Sequence, residues 1–456
     1  MFVDRLAVLA LAVAVALMGL CGVVPSGTGH VPTAAAAGRS FWVSPDGRDS
    51  NPGTQALPFE TIQRGVDTAG PRDTVFVMDG SYTATTFPMV GFDHGGAKGA
   101  PLTVAAASGA TPVLAGTSEY RYGFILDTGV SFVTISGFTM HGFSGNGVQL
   151  NCGPCTARAH RKILLQGLDI SAGGTGVLAT AGSHISLVDS RIYDNSEIGL
   201  DCTPGPCVKL LVSGTHIEDN TGYDWSDGVG VETGRGVRIL DSVAAGNSGD
   251  GFDSKAYNTA VVDSQSLGNG RDGIKLWHGD SQIVDCVSAG NGLLNVVLDG
   301  SGSFKVANTL VASGGTAARD YGMTAGYDGG AGMTLQMFNT MFADNNGTAL
   351  FVGDSVNFAR EDHDLFFTGA PENSAIAYHG IVYEESELNK GKWTADMGLG
   401  VGTFSAVPAF VSDTDYHLQA GSPGVDAGTS NGAPATALDD VARPQGSGYD
   451  IGPYER

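Results

Sequence analysis

Six short segments decide the fold of this chain: NGVQLN (146–151), TGVLAT (175–180), IGLDCT (198–203), DGVGVE (227–232), DGFDSK (250–255) and DGIKLW (272–277). Each has the same form, with glycine second and mostly apolar residues third and fifth. Their glycines are spaced 29, 23, 29, 23 and 22 residues apart. Between the later segments runs a second recurring string, VRILDSVAAGN, AVVDSQSLGN and SQIVDCVSAGN, which ends at Asn247, Asn269 and Asn291. Weaker copies follow in FKVANTLVASGG and LQMFNTMFADNNG. The alternation within each copy is that of short strands, and no helical period separates them. A chain that turns through short strands about every 22 residues and stacks on itself forms a parallel β-helix, with a rise of roughly 4.8 Å per coil. Equal positions of successive copies then become ladders, and the three asparagines are expected to stack in one turn.

The alternation also divides the residues between inside and outside. Val148 and Leu150, Val229 and Val231, and Ile274 and Leu276 point into the coil, so their neighbours point out. The outward ladder reads Gln149, Leu178, Asp201, Gly230, Asp253, Lys275. At the corner, acids occur only in the last three copies, as Asp227, Asp250 and Asp272. Stacked carboxylates one coil apart repel, and a hard divalent cation relieves that repulsion. Calcium, with six to eight oxygen ligands, suits such a cluster, and Asp224 and Asp272 are further donors. DG turns by themselves account for an acidic ladder too.

Composition sets outer limits. The 456 residues include 69 glycines and carry a net charge of -23. So acidic a chain is no partner for nucleic acid, which calls for basic surface. The first 37 residues read as a signal peptide: a short charged start, an apolar run from Leu6 to Leu20 and small residues at Ala34 to Ala37. No other apolar segment reaches spanning length, so the expectation is a secreted, extracellular monomer with no membrane partner. In an oxidising compartment CGPC (Cys152, Cys155) and CTPGPC (Cys202, Cys207) form local disulfides, while Cys286, in a strand, is a buried thiol.

The ends complete the domain plan. Phe59, Ile62, Val66 and Ala69 share one helical face, predicting a cap helix near 59–70 over the first coil. The stretch from FWVSPDGRDSNPG to FVMDGSYT, and the ending DYHLQAGSPGVDAG…DIGPYE, resemble those of right-handed parallel β-helix proteins. That resemblance implies an all-β, single-stranded right-handed parallel β-helix over 38–410, with core coils at 130–350 and a capping segment at 411–456.

A narrower resemblance concerns chemistry. SDGVGVE, GDGFDSK and RDGIKLW are similar to the calcium-and-lysine core of polysaccharide lyase family 9, the β-helical pectate lyases. It implies that Asp227, Asp250 and Asp253 bind Ca2+ and that Lys275 is the base of a β-elimination on an acidic polysaccharide. The chain departs from the family in having Gly249 before Asp250, where the family doubles the aspartate, and Glu232 where the family often has lysine. Trp225, Trp277 and Tyr257 are candidates for stacking on sugar rings. Lys255, Arg271, Arg235 and His278 are candidates for meeting substrate carboxylates. Arg158, Arg161 and Lys162 form a basic patch some coils away. Three other readings share the fold: a uronan epimerase, another carbohydrate-active β-helix enzyme, and a non-catalytic polysaccharide-binding surface protein.

Overall fold

The computed structural model describes residues 37–456 except 118, 153–154, 157–158, 315–320, 328–331 and 371–372. The predicted signal peptide and Arg158 lie outside the described residues. Gly38–Arg456 forms one compact unit.

Three sheets run the length of the stack, of fifteen, thirteen and thirteen strands among the described residues, parallel throughout except for an antiparallel last pair, Ile376–Tyr378 with Ile381–Tyr383. The six quoted segments all fall on one of them. Its strands Asn146–Leu150, Thr175–Ala179, Leu200–Cys202, Val229–Val231, Phe252–Ser254 and Ile274–Leu276 follow one another as hydrogen-bonded neighbours. We call this the site sheet. Register is as the repeat requires: Gln149 pairs with Leu178, Leu178 with Asp201, Asp201 with Gly230, Gly230 with Asp253 and Asp253 with Lys275. The inward positions from Val148 to Leu276 are buried in one continuous core.

The asparagine column is a hydrogen-bonded ladder and is longer than expected. Nδ2 of Asn195, Asn220, Asn247 and Asn269 each donates to Oδ1 of the next member, through to Asn291, over 2.8–3.0 Å, and Asn291 passes the chain on to Asn295 at 2.8 Å. Each Oδ1 also accepts the backbone N–H of the asparagine one coil earlier. Buried amides paired in this way hold the corner in register. Both predicted disulfides form, and Cys286 is free and buried.

Two expectations about the ends need correction. The cap helix is Ile62–Thr68, shorter than 59–70, because Thr61 caps it and Asp49 holds the N–H groups of Glu60 and Thr61. Phe59 stays buried outside the helix, as a bridge partner of Val43. The segment 411–456 does not close the end of the stack. It folds back along the third sheet, where Leu418 and Ile451 pack among Leu310, Met341 and Leu365. Buried Arg443 ties it down, with Nη1 2.6 Å from Asp285 and Nε 3.3 Å from Glu455. Apolar side chains left outward on that sheet provide the surface it covers.

Candidate functional site

The corner aspartates use their two oxygens differently. Oδ1 of Asp227 accepts the backbone N–H of Asp250 at 2.7 Å, and Oδ1 of Asp250 accepts that of Asp272 at 2.8 Å. Asp272 does the same for Leu294 at 3.1 Å. Each acid thus braces the next coil, which is why three DG corners stack in line. The Oδ2 atoms of Asp250 and Asp272 instead face Lys275, whose Nζ lies 3.0 and 3.3 Å from them. Lys275 stands beside Asp253 in register but pairs with the two corner acids. Its side chain is 12% exposed, and those of Asp250 and Asp272 are 5% and 4%.

Asp227, Asp250 and Asp253 each present an oxygen within 4.8 Å of the others. Gly230 adds no side chain beside them, between Asp201 and Asp253 on the outward ladder. A Cβ there would sit 3.5 Å from Asp227 Oδ2 and 3.8 Å from Asp201 Oδ1. Gly249, the departure from the doubled aspartate, has a steric cause: its Cβ would lie 2.3 Å from Asp227 Oδ1. Asp224 is exposed and is not part of this cluster.

Crowding shows in the proton affinities. Burial and the Asp250 charge push Asp227 up to about 8. Burial, with Asp250 adding and Lys275 opposing, puts Asp253 at about 6. Burial, Glu232 and Glu197 raise Asp201, on the same outward ladder, to about 7. Burial alone would lower Lys275, but Asp250, Asp253 and Asp272 hold its ammonium above the ordinary lysine value. A set of carboxylates this short of positive charge and this close together fits a hard oxygen-seeking cation.

The other candidates surround this cluster. Trp277 Nε1 donates to Asp253 Oδ1 at 3.0 Å, fixing that carboxylate. Arg271 Nε is 3.5 Å from Asp250. Lys255 is 2.5 Å from Glu232 and 4.0 Å from Asp253, so Glu232, at the position where the family often has lysine, pairs with the lysine of the next coil. His278 stacks on exposed Tyr257, with ring centres 4.2 Å apart. Trp225 is 55% exposed and stacks on Tyr223, 52% exposed, at 4.7 Å and 2°. Tyr223 was not anticipated, although YDW in the sequence signals the pair. Arg161 and Lys162 belong to the fifteen-stranded sheet, not to the site sheet.

Known proteins share this arrangement of coils. The crystal structure of pectate lyase Pel9A aligns with a TM-score of 0.51 at 18% identity, over 92% of this chain and 97% of that one, a likeness of fold. "Uncharacterized protein YwoF" of Bacillus subtilis (strain 168) is 30% identical over 112 residues. That match spans 24% of this chain and 23% of the relative's length. The family model described as "Pel9A-like, right handed beta helix region" matches residues 41–348, most of the coil stack and the whole acidic cluster. The chain therefore belongs to the Pel9A-like right-handed β-helix family.

Proposed function

We propose that this protein is a secreted polysaccharide lyase that cleaves a uronic-acid polymer by β-elimination, with Lys275 as the base and Ca2+ held by Asp227, Asp250 and Asp253. One observation carries the reading: three carboxylates within 4.8 Å of one another, with Lys275 Nζ 3.0 Å from one of them. The fold shared with pectate lyase Pel9A supports pectate as the first polymer to try, and two disulfides accord with export.

Bound calcium would neutralise the acids and stabilise the negative charge that develops at the uronate carboxylate. The remaining chemistry is the chain's own. With its partners neutralised, the Lys275 ammonium loses the charges that hold its proton, and the neutral amine is the competent base. Nζ takes the proton from C5, the C–H electrons form the C4–C5 double bond, and the C4–O bond breaks. The departing oxygen keeps that electron pair and takes a proton from water. Trp277 holds Asp253, and Arg271 and Lys255 meet substrate carboxylates. The flat Tyr223–Trp225 and Tyr257–His278 pairs offer faces for sugar rings.

The ion-paired state of Lys275 favours a second reading, a non-catalytic polysaccharide-binding protein in which the lysine only neutralises acids. Incubation with polygalacturonate at alkaline pH, with calcium or chelator, separates the two. Rising ultraviolet absorbance from unsaturated ends, dependent on calcium and abolished in Lys275→Ala, is expected of the lyase. Calcium binding with no unsaturated product from any uronan would exclude the lyase and leave the binding protein and the epimerase.

A further inference from the structure

On the fifteen-stranded sheet, which is not the site sheet, lies a groove of about 730 Å³. Its floor is the outward ladder of that sheet, Thr134, Leu164, Ser186, Leu211 and Arg238, in consecutive register. One rim is a column of basic residues: Lys162 and His184 lie between the register pairs Arg161–Ser183 and Ile163–Ile185, and His184 and Lys209 directly follow the pair Ser183–Val208. Lys98 lines the groove with them. None of the lining residues is acidic, on a chain of net charge -23.

These basic residues occupy an unfavourable backbone position. Lys162, His184 and Lys209 have φ of 57°, 55° and 57°, the left-handed region that suits glycine or asparagine. Farther along the same column stand Gly236, Asn258 and Asp280, the residues such a turn prefers. In three consecutive coils of the groove the turn is given to lysine and histidine, before the lining continues over Gly236 and Asn258. No acid offsets the lysines, and burial with the charges of Lys162, Lys209 and Arg161 favours the neutral form of His184, which leaves Lys162 and Lys209 as the cations of the column.

We propose that this groove is a second, non-catalytic binding site for an anionic polysaccharide. Basic residues recur at one-coil intervals of roughly 4.8 Å, close to the length of one sugar residue in an extended chain, so alternate carboxylates or sulfates can meet Lys162 and Lys209, with the His184 imidazole a hydrogen-bonding group between them. Leu164 and Leu211 supply the apolar floor on which pyranose faces rest. Nucleic acid fits less well, because Phe132 is the one aromatic residue lining the groove and single-strand binders stack bases on several. The site needs neither calcium nor Lys275, and it stands or falls apart from the lyase reading.

Affinity electrophoresis of the whole protein in chelator tests it, with polygalacturonate, a neutral galactan or a DNA oligonucleotide cast in the gel. Retardation by polygalacturonate that weakens as salt rises, and that falls about tenfold in Lys162→Gln/Lys209→Gln, is expected. Both lysines are exposed, and an unchanged melting temperature confirms that the variant folds. The single variant Lys98→Gln gives a smaller loss. Equal retardation of the wild-type and doubly substituted proteins would overturn the proposal. So would equal retardation by the galactan, or tighter binding to DNA than to polygalacturonate.

Discussion

Replacing Lys275 by alanine tests the centre of the site through stability as well as activity. Its ammonium is the counter-charge for Asp250 and Asp272, whose side chains are 5% and 4% exposed. Breaking an ion pair that deep by removing one partner costs about 3–5 kcal/mol. With an unfolding entropy of roughly 2 cal/mol/K per residue over Gly38–Arg456, that corresponds to a fall of about 3–6 °C in melting temperature. The fall is expected in chelator. In calcium it should shrink, because the cation supplies the missing charge, and calcium should bind the variant more tightly because it no longer competes with the ammonium. Calorimetry and calcium titration of both proteins measure these effects. Cleavage should drop by about 10²–10⁴-fold, the usual loss on removing a general base. A variant with unchanged melting and unchanged calcium affinity would show that Lys275 is not lodged among the acids. Retained cleavage would remove it as the base.

In chelator, stability should fall as pH rises from about 4 to 8. Asp227 at about 8, Asp201 at about 7 and Asp253 at about 6 keep protons in the folded chain that an unfolded carboxyl near 3.8 has released. Their contribution is complete below the unfolded value and lost through the folded ones, and calcium should flatten the slope; melting curves that rise with pH would contradict this. Gly249→Asp, which restores a doubled aspartate, should weaken calcium binding by titration, since its Cβ would meet Asp227 Oδ1 at 2.3 Å. Asn269→Ala should cost about 2–4 kcal/mol in denaturant unfolding, because it leaves the buried backbone N–H of Asn247 and one of its two Nδ2 hydrogens without an acceptor, the other still bonded to Ile217 O. A loss under about 0.5 kcal/mol would mean that water replaces the ladder.

Much of this was legible before any coordinates. A repeat of 22–29 residues made of short alternating strands, with no helical period between them, points to a parallel β-helix in which equal positions pair across coils; Asp253 beside Lys275 and Asn247 above Asn269 follow directly. The ends were harder. A periodic stretch such as FETIQRGVDTAG shows a helical face but not where Thr61 and Asp49 start the helix. Nothing local distinguishes a terminal segment that caps from one that folds back along the stack and anchors Arg443 on Asp285.

For the site, the sequence by itself determined which residues share a column, since strand period and coil length are properties of the chain alone. Only the tertiary structure decided which atoms meet. A side chain as long as lysine reaches past its register neighbour, so Lys275 turns from Asp253 to Asp250 and Asp272. Each aspartate has two oxygens, and the close stacking of coils commits one to the next backbone N–H and leaves the other for chemistry. The basic column of Lys162, His184 and Lys209 is likewise set by the folded corner, because three residues far apart in sequence become adjacent only when the coils stack.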